Sequence, residues 1–166
     1  MGKSIAVWVS SVFGSSLGKV LGVGFISMLP IIELRGAIPI GYALGLNWQS
    51  SFIISVIGNM LPIPFILLFV EAVFKFMKKH NILTKFVTKL EDKATLKSDS
   101  VTKYQFWGLM IFVAIPLPGT GGWTGALIAS VMKMKKSHAL LSIFLGVLVA
   151  AVIVTMLTYG LVDNFI

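Results

Sequence analysis

The run from Ala139 to Val162, which contains no charged side chain, constrains the fold of this chain most. A helix needs about 20 mainly apolar residues to cross the hydrocarbon core of a bilayer. The composition agrees, because 57% of the 166 residues are hydrophobic and only 12% are charged, against roughly 25% in soluble domains. The sequence therefore predicts an all-α integral membrane protein with one membrane domain, residues 1–166.

A second apolar run, Phe52 to Phe74, is also long enough to span the bilayer. Its interruptions are Asn59, Pro62, Pro64 and Glu71. Proline in a membrane helix removes a backbone hydrogen bond and kinks the helix, so this span is expected to be bent.

Two further apolar regions are split in the middle. Gly22–Ile32 and Gly36–Leu46 flank a charged segment, whereas Phe106–Ile115 and Trp123–Met132 flank a segment rich in proline and glycine. Each limb is about half the length needed to cross a bilayer. We therefore expect two re-entrant helical hairpins, each of which enters the membrane and returns to the same side.

The lysines indicate topology. Eleven of the fourteen basic residues lie between Lys75 and Lys136, on both sides of the second broken region. The positive-inside rule favours a cytoplasmic location for both clusters, as re-entry requires, and explains the net charge of +8 without nucleic acid. Residues 79–103 are expected to form an amphipathic linker, within a cytoplasmic lysine-rich loop 78–103. Its helix lies either in solution or on anionic lipids of the inner leaflet.

The two halves share a layout. A broken hairpin followed by a full span occurs in residues 20–78 and again in 104–166, and residues 1–19 form an N-terminal segment that either spans or lies on the membrane. No signal-peptide cleavage site is found, so this segment is expected in the mature protein. Because one span separates the hairpins, the halves are predicted to be inverted repeats, a pattern of transporters that bind substrate where the repeats meet.

Glu33 and Arg35 are the residues most indicative of function. An isolated charge near the bilayer centre costs roughly 2.5–3.5 kcal/mol, so such residues usually face protein or water and have a role. Arg35 is the chain's only arginine, and its planar fork of donors suits an oxyanion. Glu33 is the candidate proton-coupling residue. The structural alternative is a salt bridge that fastens the tip of the hairpin.

The segment from Leu117 to Gly122, LPGTGG, leads into a second half-helix. Helix N-termini carry partial positive charge and N–H groups outside the helical bonding, which makes them anion sites. If the two tips meet, they bind a phosphate or carboxylate. The candidate substrate-binding residues are Arg35, Gly36, Gly119, Thr120, Gly121, Gly122, Trp123 and Thr124. Trp123 either gates this site or only packs.

Two other polar residues are secondary candidates. Asn59 either opens its helix towards a central cavity or bonds a neighbouring helix, and Glu71 is expected to pair with Lys75. The chain has no cysteine, no P-loop and no spacing typical of metal ligands or a catalytic triad. We therefore expect no enzyme activity, no metal and no cofactor.

The motifs PIIELRGAIPIG and PLPGTGGWTGALIAS, in this order, resemble the small multidrug export protein family of bacterial and archaeal inner membranes. That family is similar in layout to the DedA and VTT membrane proteins, in which re-entrant hairpins carry functional acidic and arginine residues. Glu33 and Arg35 match these by type, whereas Thr120 and Thr124 stand where DedA proteins have arginines. The resemblance implies a multi-pass protein of a prokaryotic inner membrane.

Three functions remain open. The first is a proton-coupled transporter that moves or flips a phosphate-bearing amphiphile, such as undecaprenyl phosphate or a phospholipid, as the DedA resemblance implies. The second is a proton-coupled exporter of cationic compounds, as the family name implies. The third is a membrane scaffold without transport activity. Because one span and one hairpin per repeat are too few to enclose a long pathway, we also expect a homodimer.

Overall fold

The computed structural model describes residues 14–79, 99–117 and 119–160, and all regular elements in these ranges are helices. The all-α prediction is therefore confirmed for this part of the chain. The predicted amphipathic helix of the linker and most of the N-terminal segment lie outside it. In chain order the elements are α1 Ser16–Met28, α2 Glu33–Ala43, α3 Trp48–Met60, α4 Ile63–Lys79, α5 Asp99–Ala114, α6 Gly122–Val131, α7 Lys136–Thr155 and a π-helical turn Met156–Gly160.

Two helical runs in the described ranges are long and apolar enough to cross a membrane. Trp48–Val70 has 23 residues and a mean hydropathy of 2.3, and Lys136–Gly160 has 25 residues and a mean hydropathy of 2.8. They coincide closely with the two spans expected from composition. The first run is interrupted at Leu61 and Pro62, between α3 and α4, because proline has no N–H for the helical bond.

Three helices are only about half as long as a bilayer-crossing helix. Helices α1, α2 and α6 have 13, 11 and 10 residues, which at 1.5 Å per residue gives lengths of roughly 15–20 Å. Helix α1 begins at Ser16, earlier than the apolar limb predicted from Gly22, because the Ser15 hydroxyl accepts a bond from the N–H of Gly18 at 3.0 Å. This N-cap adds a polar first turn.

The described residues form two compact units, of which the first takes in residues up to 61 and those from 149 onward. In this unit α1 and α3 approach closely at two glycines, since a Cβ atom on Gly58 would meet the carbonyl oxygen of Gly24. Beside this contact the Ser27 hydroxyl donates to the carbonyl of Ser55. Apolar side chains that include Val23, Leu34, Ile38 and Val56 fill the core of this unit.

The order of contacts gives the direction of the first three helices. Lys19 near the start of α1 donates from Nζ to the carbonyl of Leu44 after the end of α2, at 2.7 Å, so α1 and α2 are antiparallel. Gly41 near the end of α2 packs against Ser51 near the start of α3, so α2 and α3 are antiparallel as well, and α1 and α3 run in the same direction. The α1–α2 connection and the end of α3 therefore lie at the same end of this unit.

Tyr159 in the π-helical turn fastens the opposite end of the first unit. Its hydroxyl donates to the carbonyl of Leu46 at 2.9 Å and lies 2.6 Å from the Ser51 hydroxyl. Since the tyrosine proton is used by Leu46, Ser51 is the donor in the second bond. The ring also contacts that of Tyr42 edge-on, with 4.9 Å between centroids.

We expect Tyr159→Phe to cost about 1 kcal/mol, because it deletes the hydroxyl that joins Ser51 to Leu46. A loss of this size lowers Tm by about 2–4 °C in a chain of this length, measurable by thermal unfolding in detergent. Tyr104→Phe is the matched control, since Tyr104 is 76% exposed. Equal Tm values for the two variants would contradict the bonding role of Tyr159.

The second unit, residues 62–148, contains α4, α5, α6 and the first part of α7. Helices α5 and α7 pack closely, since a Cβ atom on Gly146 would lie 2.7 Å from the carbonyl oxygen of Met110. Ser142 on α7 donates to the carbonyl of Phe106 on α5 at 2.7 Å. The buried apolar side chains of this unit include Ile63, Leu67, Leu109, Val113, Ala126 and Ile143.

Helices α2 and α6 end in the same way. After α2 the N–H groups of Gly45 and Leu46 bond the carbonyls of Tyr42 and Gly41, and after α6 the corresponding bonds run from Lys133 and Met134 to Ser130 and Ala129. This is the Schellman pattern, with Gly45 and Lys133 at positive φ of 74° and 51°. Each short helix thus leads through the same turn into a longer apolar helical run, the local layout predicted for both halves.

Candidate functional site

Glu33 is buried and has an unusual backbone at the start of α2. It is 4% exposed, and its φ of 50° lies in the left-handed region that residues with a side chain rarely adopt. Such a conformation costs about 1–3 kcal/mol and occurs often at functional sites. The fold therefore holds this carboxyl group away from solvent.

Arg35 lies close to Glu33 but is more accessible. The distance from its Nη1 atom to Oε2 of Glu33 is 4.0 Å, and the side chains are 17% and 5% exposed, respectively. This long ion pair accords with the predicted salt bridge. Arg35 therefore supplies a counter-charge close to the Glu33 carboxyl group, and part of its side chain remains accessible.

The N-terminus of α2 also supports the acid. Glu33 is the acidic residue of the first helical turn, where the partial positive charge of the helix end favours a carboxylate. Gly36 lies in the same turn. A Cβ atom at that position would meet the Ile32 side chain, so glycine allows the close contact. Glu33, Arg35 and Gly36 thus form one compact tip.

The second motif forms a loop and the start of α6 in the second unit. Gly119 has a φ of 83°, and the Thr120 hydroxyl bonds the carbonyls of Ile115 and Leu117 at 2.7 and 2.9 Å. This hydroxyl therefore shapes the loop. Gly121 is the N-cap, without a side chain to bond the first amides.

The start of α6 differs from that of α2 in charge. Gly121 and Gly122 are buried, Trp123 and Thr124 are half-buried, and the first turn has no acidic residue. The positive end of α6 is thus not balanced by a carboxylate of its own helix. This is the electrostatic condition that the sequence prediction of an anion site requires.

The predicted site residues divide between the units. The first unit contains Glu33, Arg35, Gly36 and Asn59, and the second contains residues 119–124 and the backbone of Glu71. The side chain of Glu71 lies outside the part that the structure describes. The meeting of the two tips remains a prediction.

Helix α3 has buried polar residues along its length, with Asn59 near its end and Ser51 near its start, beside Tyr159. Ser51, Ser55 and Asn59 are 0% exposed, as is Ser27 on α1. Of these, only Asn59 was singled out from sequence. The available signal was their spacing of four residues, which places Ser51, Ser55 and Asn59 on one face of a helix.

An apolar groove of about 310 Å³ lies at the other end of the first unit. Residues of α3, the end of α7 and the π-helical turn line it: Trp48, Phe52, Val152, Thr155, Met156, Tyr159 and Gly160. Trp48 begins α3, whereas the Glu33 tip lies at the level where α3 ends. The groove is therefore separate from the Glu33 site.

Comparison with known proteins gives one family. The family model described as "Putative small multi-drug export protein" matches residues 33–153, from Glu33 at the start of α2 into α7. No curated protein and no solved structure gives a significant match. The matched range contains Glu33, Arg35, Asn59 and the whole second motif. Because it covers well over half of the sequence, the chain belongs to this family of small multi-drug export proteins.

Proposed function

We propose that this protein is a proton-coupled membrane exporter of small amphiphilic cations in which Glu33 exchanges a proton for the substrate. One observation carries the proposal: Glu33 is a buried carboxyl group, 5% exposed at its side chain, in a left-handed backbone beside the chain's only arginine. Buried acids in membrane proteins serve proton and ion pathways. The family name, which describes an export protein and hence a membrane transporter, supports the same class.

The Glu33–Arg35 pair suits an exchange cycle. In the resting state Arg35 balances the carboxylate, since an unpaired charge in this environment is costly. Either a proton or the positive group of a substrate then neutralises Glu33. Because only one of them can do so at a time, the uptake of a proton releases the cation.

The proposed architecture is that of two inverted repeats with re-entrant hairpins, similar to DedA proteins. The short helices α1, α2 and α6 support it, together with the identical turns that end α2 and α6. The remaining parts of the proposal are a homodimer in a prokaryotic inner membrane, a cytoplasmic lysine-rich loop 78–103 in contact with anionic inner-leaflet lipids, and a site where both tips meet. Eleven basic residues between Lys75 and Lys136 support this orientation.

A second candidate is the movement of a phosphate-bearing amphiphile. It is favoured by the accessibility of Arg35, whose side chain is 17% exposed against 5% for Glu33. A guanidinium group holds phosphate oxygens through two parallel hydrogen bonds. The N-terminus of α6, which has no acidic residue in its first turn, offers a further anion site.

Arg35→Ala distinguishes the two substrates. In vesicles reconstituted with the full chain, we expect proton-driven transport of a fluorescent lipophilic cation to persist, because Arg35 competes with the cation for Glu33. Movement of a labelled anionic phospholipid between leaflets should be lost if the second candidate is correct. Arg35→Lys is the matched control, since it keeps the positive charge but not the planar fork.

The outcomes of this experiment separate the proposals. Cation transport by the wild type and by Arg35→Ala supports the exporter. Lipid movement that depends on Arg35, without cation transport, replaces it with the second candidate. If wild-type vesicles transport neither probe, both transport proposals fail and the scaffold function is favoured.

A further inference from the structure

Asn59 is a fully buried amide near the end of α3. Its side chain is 0% exposed, and neither Nδ2 nor Oδ1 has a hydrogen-bond partner among the described residues. The hydroxyl of Ser55, one turn earlier, is also buried and also has no hydrogen-bond partner among the described residues. Three polar atoms on one face of α3 thus have no hydrogen-bond partner in the part of the chain that the structure describes.

Such an arrangement is costly without a ligand. A buried polar group with no hydrogen bond typically costs about 1–3 kcal/mol, and nearly all such groups in native proteins are satisfied by protein or by ordered water. The nearby Ser27 hydroxyl donates to the backbone carbonyl of Ser55, and it bonds neither the Ser55 hydroxyl nor the Asn59 amide. Within the described residues, Ser55 and Asn59 therefore indicate a site for a bound molecule.

The orphaned atoms define the chemistry of this ligand. An amide contributes two donors on Nδ2 and an acceptor on Oδ1, so a metal ion would satisfy only the oxygen and an anion only the nitrogen. Space is limited next to Asn59, where Gly58 packs against the Gly24 carbonyl. A molecule that both donates and accepts and has the size of one or a few atoms is water.

The position of this site relates it to Glu33. The end of α3 lies at the same end of the first unit as the α1–α2 connection, which leads into Glu33. The described titratable residues of α1, α2 and α3 are Lys19, Glu33, Arg35 and Tyr42. Lys19 and Tyr42 bond or contact groups at the opposite end, Leu44 and Tyr159. Glu33 and Arg35 are thus the charged groups on these helices at the Asn59 end.

We propose that Ser55 and Asn59 bind buried water through which protons reach Glu33, a role that rests on the proposed proton-coupled export. A carboxyl group that is 4% exposed needs a polar route if it is to exchange protons on each cycle. Hydrogen-bonded water at the end of α3 supplies such a route, with the amide of Asn59 orienting it.

Two measurements on the full chain in liposomes test this site. Water-edited solid-state NMR of protein labelled with ¹⁵N-asparagine should show magnetisation transfer from water to the Asn59 side-chain amide, assigned by its loss in Asn59→Leu. Asn47 is the positive control, since it is exposed at the start of α3. In parallel, Asn59→Leu should lose most of the proton-driven flux, while its Tm should not fall.

Thr155→Val is the matched control for the flux measurement. Thr155 is another buried hydroxyl with no partner among the described residues, but it lines the groove at the opposite end of the unit. Its replacement should leave proton-driven transport unchanged. Equal losses in Thr155→Val and Asn59→Leu would show a general packing effect and overturn the proton role.

Other outcomes also decide the matter. Absence of transfer from water to Asn59 overturns the water site, and a lower Tm for Asn59→Leu shows instead a bond between helices. If water contacts Asn59 in the wild type but Asn59→Leu has the same proton-driven flux as the wild type, the proton role is overturned. If the wild type shows water at Asn59 but no proton-driven transport, the proposed export fails and the water site alone is retained.

Discussion

Glu33→Gln is expected to reduce proton-driven export to the level of protein-free vesicles. Glutamine has nearly the same shape as the protonated acid, but it can neither bind nor release the proton that drives the cycle. The variant also removes the negative charge that attracts a cationic substrate. Dye efflux from vesicles with an imposed pH gradient measures this loss.

The fold should tolerate Glu33→Gln. Glu33→Gln leaves Arg35 without its carboxylate partner, but burial of an amide costs less than burial of a carboxylate and 17% of the Arg35 side chain is exposed. Tm should therefore fall by a few °C at most, without unfolding. Glu33→Asp is the control variant, since it keeps the titratable group and should retain part of the flux. Full transport by Glu33→Gln would contradict the exchange role of Glu33, whereas unfolding of both variants would indicate a structural ion pair.

Parts of the fold followed directly from local sequence. The charge-free run after Ala139 predicts one long helix, and the structure has Lys136–Gly160 there. Pro62 predicts an interruption in the other run, and α3 and α4 are separated at that position. The returning half-helix is predicted to begin at Gly36, after the charged segment, whereas α2 begins at Glu33 and has both charged residues in its first turn. These features depend on residues that are close together in the chain.

Other parts depend on contacts between distant residues and had no local signal. Tyr159 bonds Ser51 across 108 positions of sequence, and neither residue is unusual in its own segment. The left-handed backbone of Glu33 could not be expected either, because sequence statistics disfavour it.

The helix contact at Gly24 and Gly58 illustrates the difference. Glycines in membrane helices are common at close helix crossings, so each was a candidate from sequence alone. Which pair meets, however, depends on the register between α1 and α3. The structure specifies that register through Ser27 and Ser55 as well as through the glycines.

This contact yields the second large effect, for Gly58→Ala. The added methyl group would meet the backbone carbonyl of Gly24, with the Ser27 side chain also near, at 3.1 Å. A backbone group cannot rotate away as a side chain can, so α1 and α3 must separate. Overpacking of this kind costs about 1–3 kcal/mol, and we expect Tm to fall by several °C.

Gly108→Ala separates this packing effect from the intrinsic preference of alanine for helices. Gly108 is exposed in α5, and a Cβ atom there would meet nothing within 4 Å, so alanine should raise the stability by up to about 1 kcal/mol. Opposite Tm shifts in the two variants are therefore expected. A rise in Tm for Gly58→Ala would mean that α1 and α3 do not meet at Gly24. Because Asn59 follows Gly58 directly, separation of these helices should also disturb the water site and lower proton-driven flux together with Tm.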